Sequence, residues 1–525
     1  MTDIKARAGR KEWIGLAVLV LPCLLISMDI SVLFFALPFI SADLAPSGTQ
    51  QLWIMDIYGF VLAGMLITMG ALGDKIGRRL LLMLGATAFG VASVIAAYSR
   101  SAEVLIGTRA LLGLAGATLM PSTLALVRNM FHDNGQRKTA VAVWTGAMTA
   151  GATLGPIVGG LLLNHFWWGS AFLINVPAMV LLLILGPILL PEFKAPKSGR
   201  FDFLSALLSL GAVLAVIYGI KQMAVRGFEL LPILSVVAGL LLGFAFIRRQ
   251  QTHENPLIDL KLFRRRAFSA SIMVNIIATF AFIGITLFTN QYMQLVLGLR
   301  PLEAALWSLI VMPVIFIAMT ICSILAKTVR PAFILGAGLI LMAVGFGVLT
   351  QTHADSKLWV VLTAAGTVAA GLLVSTMLTA DMILTAAPPE RAGAASALSE
   401  TANEFGGALG MALLGTIGAA VYHRQMVGVV PAGVPDEAAK AAADTLGGAN
   451  VVAGSTPGDA GTTLLHAARL AFTHGMNLTA AAGAGLLVVA AIVVTVMLRK
   501  LKVDEAVAPP KDPADEVATP VAAEV

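Results

Sequence analysis

Charge is the scarcest commodity in this sequence. Only 12% of its 525 residues are Asp, Glu, Lys or Arg, whereas a soluble chain carries roughly a quarter. Hydrophobic residues reach 58% and the mean hydropathy is +0.88, which excludes an ordinary soluble globular protein. The apolar runs do not alternate over about ten residues as the strands of a membrane barrel do. They are helix-length, and a helix satisfies its own backbone in lipid. The two cysteines, Cys23 and Cys322, both fall inside apolar runs and read as small packing residues, not as a disulfide. The seven histidines (132, 165, 253, 353, 423, 466 and 474) lie in loops or near run ends. Their spacing fits no metal site, so neither metal nor cofactor is expected. No nucleophile–base constellation is legible at an interface, which argues against an enzyme acting on lipid.

What the sequence has in abundance is spans. About 20 apolar residues cross a bilayer as a helix, and fourteen such runs are predicted. They cover about 13–40, 51–71, 80–98, 102–127, 139–163, 170–190, 203–220, 230–247, 268–294, 303–326, 331–350, 357–380, 392–421 and 472–498. The expected fold is therefore all-α and polytopic. The first run has the length of a span and is interrupted by Asp29, so it reads as an uncleaved helix, not a signal peptide. An even count puts both termini on one side. Placing them in the cytoplasm assigns 26 of the 35 Lys and Arg to cytoplasmic segments, as the positive-inside rule requires. The net charge of +6 is then a basic rim near anionic lipid, including Arg248, Arg249, Arg264, Arg265 and Arg266. No nucleic-acid partner is expected.

Residues 1–12 read as a cytoplasmic N-terminus, 13–190 as six spans and 203–247 as two linking spans. A basic linker at 248–267 precedes a second set of six spans over 268–498. This set includes an external loop, 422–471, in which Pro435–Leu446 and Asp459–Phe472 could each form a short helix or remain flexible. The tail, 499–525, is rich in Pro, Ala and acids and reads as disordered. LGDKIGRRLLLMLGA after the second span is faintly echoed by LAKTVRPAFILGAG after the tenth, as in transporters built from repeated bundles.

Ionisable residues inside spans are costly, and they usually face a bundle interior or a cavity. Asp29 lies deep in WIGLAVLVLPCLLISMDISVLFFALPFI; a hydrogen-bonded structural Asp is the competing reading. The first helix runs outward and the second inward, so Asp29 and Asp56 fall at similar depth with Arg109. These three are expected to form one charge network. Low dielectric favours the neutral form of a carboxyl group and a nearby guanidinium the charged form, so moving the Arg would switch a proton on or off. Glu400 and Glu404, four residues apart, share one helix face near mid-membrane. They could hold a proton or a cation, or be an interface pair satisfied by Ser or Asn neighbours. The Gly and Ala around them would leave that face slim enough to line a cavity. Asp381 is expected at the cytoplasmic edge as a cap or solvated charge.

Three motifs accompany the acids. Gly70–Leu82 reads GALGDKIGRRLLL: Gly73 and Gly77 permit a tight turn, and Asp74 is expected near the start of the third helix, where the macrodipole favours an anion. Lys75, Arg78 and Arg79 could pair with acids on neighbouring helices in one conformation and release them in another. LIGTRALLGLAGATLMPS places Arg109 in the fourth span, with Gly113 and Gly116 allowing close helix approach. GATLGPIVGG contributes Gly151, Gly155, Pro156, Gly159 and Gly160 to the fifth, where Pro156 kinks the helix.

These motifs resemble the GxLaDrxGRkxxL, RxxxGxxxA and GxxxGPxxGG signatures of the major facilitator superfamily. With MDISVLFFALP, WIMDIYG and fourteen spans, the chain from about 13 to 498 is similar to that family's bacterial drug:proton antiporters, the quaternary-ammonium and methyl viologen resistance exporters. The resemblance implies two six-helix bundles plus two additional helices, and exchange of drugs for protons across the bacterial inner membrane by a monomer. It implies Asp29, Asp56, Glu400 and Glu404 as protonation and cation-binding acids, Arg109 as the coupling arginine, and Gly70, Gly73, Asp74, Gly77, Arg78 and Arg79 as a cytoplasmic gate. Some relatives carry an acid within the tenth span near Met312–Thr320; this chain has none, which leaves dication export open.

Acids in an aromatic, apolar setting suit lipophilic cations through charge pairing and cation–π contact. The candidate aromatics are Phe34, Phe35, Tyr58, Trp144, Phe288 and Tyr292, with Met28, Met120 and Met148 as adaptable packing. For each of these, ordinary helix packing competes. Export of a neutral metabolite, lipid or antibiotic is the alternative function.

Overall fold

Long apolar runs bounded by Ser, Asp, Gly and Pro set the helix lengths. Ser47 accepts from the amide of Gln50 at 3.3 Å, Ser101 from Val104 at 3.4 Å and Asp133 from Gln136 at 2.9 Å. Each satisfies an N-terminal amide that a helix cannot satisfy itself. A computed structural model describes residues 8–194, 202–226, 229–252, 260, 262–326, 328–386, 392–429, 435–456 and 459–499. The predicted tail, 500–525, and most of residues 1–12 and 253–261 lie outside the described residues.

The helices are α1 (Arg10–Leu44), α2 (Gly48–Ile76), α3 (Arg78–Ala97), α4 (Ala102–Met130), α5 (Asn134–His165), α6 (Ser170–Leu173), α7 (Asn175–Leu189), α8 (Phe203–Arg226) and α9 (Leu230–Thr252). They continue with α10 (Arg266–Gln291), α11 (Pro301–Leu309), α12 (Met312–Leu325), α13 (Pro331–Leu349), α14 (Leu358–Ala386), α15 (Ala392–Met426), α16 (Asp436–Asp444), α17 (Leu446–Ser455) and α18 (Asp459–Leu498). Among the described residues, fourteen stretches are long and apolar enough to cross a membrane, in the order that the sequence predicts. Two of them are broken: α6 and α7 share one span, and α11 and α12 another.

One bundle packs α1 on α5, α2 on α4, and α3 on α4 and α7. The other packs α10 on α15, α13 on α14, and α18 on both α13 and α15. They meet along α2 and α15, with further contacts of α5 on α11 and α1 on α10. The additional pair stands at that seam, since α8 packs on α9 and also on both α2 and α15. The two echoed sequences occupy matching places, at the α2–α3 and α12–α13 junctions.

Asp202, just before α8, ties this pair together. Its carboxylate accepts from Arg249 Nη2 at 2.9 Å and Nε at 3.1 Å, from the Ser205 amide at 3.1 Å and from the Ser205 hydroxyl at 2.5 Å. Burial pushes this acid up, but the Arg249 and Ser205 hydrogen bonds win and hold it at about 2. The native state thus lowers its pKa below the unfolded value of about 3.9. Its stabilisation is full above that value and is lost as pH falls through about 2. We expect Asp202→Asn to flatten the acid limb of a protease-protection titration of the α8–α9 hairpin between roughly pH 4 and pH 2. An unchanged limb would remove Asp202 from that role.

The 422–471 region is more ordered than its composition indicates. Pro435–Leu446 does contain a helix, α16, and a further helix, α17, follows it without having been expected. The expected separate helix at Asp459–Phe472 is instead the start of α18, whose 40 residues run unbroken into the last span. At 1.5 Å per residue that is about 60 Å, twice the hydrocarbon thickness. Apolar positions continue in helical register through the junction (Leu464, Ala468, Ala471 and Phe472 are buried), so nothing stops the helix. α17 folds back onto the first bundle, where a Cβ at Gly447 would sit 2.7 Å from Ser41 Cβ.

Candidate functional site

Arg109 is fully buried on α4. It forms an ion pair with Asp29 Oδ2 of α1, and its Nε donates to the Ile54 carbonyl of α2 at 3.1 Å. The guanidinium carbon lies 4.6 Å from the centre of the Tyr58 ring. A guanidinium suits this place because one side of its planar fork can pair while its face stacks on an aromatic ring. Three helices are thereby fastened at one charge.

Asp56 does not complete that pair. It is fully buried on α2, and its Oδ2 accepts from Lys221 Nζ of α8 at 2.6 Å. The expected three-residue network is thus two ion pairs, Asp29–Arg109 and Asp56–Lys221, with Arg109 still within Coulombic reach of Asp56. The seventh span predicted from the sequence, 203–220, stops one residue short of Lys221. In the structure α8 runs on to Arg226 and buries Lys221 against the Trp53 ring, 3.9 Å from its centre. The legible signal was a lone lysine directly abutting an apolar run.

Glu400 and Glu404 lie on one face of α15, both half-buried, and within reach of each other's charge. Among the described residues neither has a cationic or hydrogen-bonding partner. Ser399, one of the serines next to this pair in sequence, instead accepts from Asn275 Nδ2 at 3.0 Å. The Tyr58 hydroxyl lies within Coulombic reach of Asp29 and Arg109 of one bundle and of Glu404 of the other, and has no hydrogen bond. Gly415 and Gly418 of α15 line a small cavity against α2 and α10, whereas the glycines nearer the glutamates pack tightly. A Cβ at Gly406 would lie 2.5 Å from the Ile276 carbonyl and one at Gly410 2.0 Å from the Phe280 carbonyl, so these two serve close packing on α10. Asp381 is exposed on α14, which continues five residues past it.

The Gly70–Leu82 motif, expected as a cytoplasmic gate, forms the α2–α3 junction. Gly77, at φ 120°, turns the chain, a conformation that a side chain resists. Asp74 sits in the last turn of α2, not at the start of α3, and pairs with Arg78 at 2.6 Å. The anion at the N-terminus of α3 is Glu192, which follows α7 and accepts from the amides of Arg79 and Leu80 at 3.1 and 3.2 Å. Arg79 in turn donates to the Leu190 carbonyl at 3.0 Å. Sequence reasoning missed Glu192 because it is more than a hundred residues away along the chain. Gly70 faces Pro121 of α4, and a Cβ at Gly73 would touch Arg78.

In the antiporter motif, Gly151, Gly155 and Gly159 form a stripe on α5 that lies against α1. Added Cβ atoms would fall 2.2 Å from the Leu24 carbonyl, 2.0 Å from Ser31 Oγ and 3.0 Å from Val32 Cγ1. Gly160 faces elsewhere: its Cβ would lie 2.6 Å from Leu302 Cα of α11, in the opposite bundle. Pro156 is inside the helix.

A family description of the Major Facilitator Superfamily matches residues 20–411. The chain belongs to the major facilitator superfamily. It is similar to the multidrug efflux pump LfrA of Mycolicibacterium smegmatis, 43% identical over 95% of this chain and 99% of that one. It is also 35% identical to the methyl viologen resistance protein SmvA of Salmonella typhimurium, over 90% of this chain and 95% of the relative. The tetracenomycin C resistance and export protein of Streptomyces glaucescens is 32% identical over 94% and 93%. A solved bacterial homologue of the lysosomal transporter Spinster shares the fold, with a TM-score of 0.62 at 16% identity over 94% of this chain and 98% of that one. The protein is a multi-pass membrane transporter.

Of the candidate aromatics, the structure brings Tyr58 to the acids. Phe34 and Phe35 are core residues of α1. Trp144 donates to Thr123 Oγ1 at 3.1 Å, and that oxygen also contacts Cys23 Sγ at 3.3 Å, stitching α5, α4 and α1 together. Phe288 packs on Phe472 with centroids 5.9 Å apart. Tyr292 opens a π-helical turn, and its hydroxyl holds the His353 carbonyl at 2.5 Å.

Proposed function

We propose that this protein is a proton-coupled antiporter that exports lipophilic cations, such as quaternary ammonium compounds, dyes and viologens, in exchange for protons. One observation carries the reading: Glu404 lies within Coulombic reach of Tyr58, whose ring carries Arg109, and of Glu400, and among the described residues neither glutamate has a cation of its own. Two adjacent carboxylates in low dielectric need a proton or a cation. A lipophilic cation supplies the charge, and the apolar surroundings accept its body. Loading of the carboxylates with protons would release it, and their deprotonation would restore the site. The similarity to LfrA and SmvA along nearly the whole chain supports an exporter of such compounds. The gate motif and both termini face the cytoplasm of a bacterial cell in this reading, because Lys and Arg concentrate there, and the transporter works as a monomer.

The test is purified protein in vesicles loaded with a fluorescent monovalent cation. An imposed pH gradient is expected to drive its movement against concentration, and Glu400→Gln with Glu404→Gln to abolish it. One proton exchanged for one monovalent cation moves no net charge. Every additional proton adds about 2.3 kcal/mol per 100 mV, so voltage dependence reads the stoichiometry. Cation movement indifferent to both gradients would end the proposal. Movement of a neutral compound alone would favour the second reading, export of an uncharged antibiotic or metabolite, which the similarity to the tetracenomycin C exporter supports.

A further inference from the structure

Three of the seven histidines converge at a place that the transport reading does not use. Where α18 enters the last span it carries a polar stripe. His466, Arg469, Thr473 and Asn477 recur at intervals of three and four, which puts them on one face of the helix. With His474 they form one wall of a cavity of ≈ 700 Å³, and Thr352, His353 and Asp355 of the α13–α14 connection form another. Hydrogen bonds hold these walls in place. Asn477 Nδ2 donates to the Thr352 carbonyl at 2.8 Å, the Tyr292 hydroxyl to the His353 carbonyl at 2.5 Å and the His353 amide to Ser356 Oγ at 2.8 Å. Arg469 Nε donates to the Leu295 carbonyl at 3.1 Å. Among the described residues its two terminal nitrogens have no hydrogen bond. Two buried atoms at the cavity are also without a partner there: Asn477 Oδ1 and the hydroxyl of Thr352, a residue 0% exposed.

Buried polar groups left unpaired are costly, and a bound molecule relieves that cost. The cavity offers two opposite sets of groups. Arg469, the imidazoles and Thr352 Oγ1 can donate to anionic oxygens, whereas Asn477 Oδ1 and the Asp355 carboxylate can only accept. A bare anion suits the first set and is repelled by the second. A phosphate diester that also bears an ammonium or hydroxyl group suits both, and that is the composition of a phospholipid head group. The depth agrees. The last predicted span, 472–498, begins within the stripe. Trp359, in the first turn of α14, is 55% exposed and packs on Trp307 with centroids 5.6 Å apart; exposed tryptophans mark the boundary between membrane and water. We propose that this cavity binds a phospholipid head group whose phosphate is accompanied by a hydrogen-bond donor. Arg469 and the facing imidazoles hold the phosphate, and Asn477 Oδ1 and Asp355 take the donor. The bound lipid ties α18 to the α13–α14 connection. This site goes beyond the antiporter reading and does not depend on how transport is driven.

The test titrates short-chain phospholipids into the purified full chain in a neutral detergent, read by native mass spectrometry and melting temperature. Lipids with phosphoethanolamine or phosphoglycerol head groups are expected to bind and to raise the melting temperature. The phosphocholine lipid has no N–H or O–H to give, and should bind about fivefold more weakly. Arg469→Gln is expected to weaken binding about tenfold, since a hydrogen bond to a charged group is lost. Because Arg469 also holds the Leu295 carbonyl, two variants at exposed positions guard against misfolding. His474→Gln should weaken every head group, and Asp355→Asn should erase the preference over phosphocholine. Arg424→Gln changes an exposed charge that does not line this cavity, and is expected to leave binding unaltered. Soluble phosphoethanolamine or glycerol phosphate binding as tightly as the lipids would overturn the lipid assignment. Binding unchanged in Arg469→Gln and His474→Gln, or weakened equally in Arg424→Gln, would overturn the site.

Discussion

Arg109→Met is expected to abolish export and to destabilise the protein by about 3–5 kcal/mol, because it strands a buried carboxylate. Asp29 is 2% exposed at its side chain and Arg109 is 0% exposed, so water cannot replace the missing partner. The substitution also removes the hydrogen bond to the Ile54 carbonyl and the cation over Tyr58. Asp29→Asn together with Arg109→Met should recover most of the stability, since neither charge then remains, but no transport. That contrast distinguishes a coupling pair from a structural one. Asp29→Asn alone refines it: loss of dye export with proton uptake intact would make Asp29 a substrate ligand, not a proton carrier. Growth on a panel of dyes and quaternary ammonium compounds, with melting curves of the purified variants, measures both effects. A double variant that folds and still exports would exclude the pair from the mechanism.

The second large effect concerns shape, not charge. Gly160→Ala is expected to move the protein out of the conformation described above without unfolding it. The new methyl would fall 2.6 Å from Leu302 Cα and 2.9 Å from Leu302 N. Backbone atoms cannot turn aside as a side chain can, so α5 and α11 must separate, and these helices belong to opposite bundles. Overpacking of this kind costs about 1–3 kcal/mol. Placed on one of two states, it shifts their ratio roughly 5- to 150-fold. Gly151→Ala provides the comparison. Its methyl meets the Leu24 carbonyl at 2.2 Å within a single bundle, so it should lower stability in every conformation and leave the ratio near its starting value. Distances between spin labels on α5 and α11 would report the difference. Equal populations in Gly160→Ala and the unsubstituted protein would show that this contact does not govern the conformational ratio.

Much of this molecule is written locally. The count and order of the spans, the gate turn at Gly77, the proline within α5 and the shared face of Glu400 and Glu404 follow from hydropathy and from periodicities of a few residues. Membrane insertion makes them legible, because each span must satisfy its own backbone and exclude charge. The exceptions are instructive. A charge ordinarily ends a span, so hydropathy stops α8 at Lys221, whereas its partner Asp56 lies across the seam and far away in the chain. Asp459–Phe472 was separated from the last span because polar residues reach into it, although its apolar positions hold the same helical register.

Hydropathy suffices to mark out fourteen helices long and apolar enough to span a membrane, and the ionisable groups inside them. Who faces whom is settled by packing. It gave Arg109 to Asp29, Lys221 to Asp56 and Glu192 to the start of α3, and it turned Gly160 away from α1 toward Leu302. The reason is physical: hydropathy acts on each helix separately, whereas the pairing of buried charges depends on helix rotation and neighbour choice. Those are fixed by the packing of small residues between segments far apart in the chain.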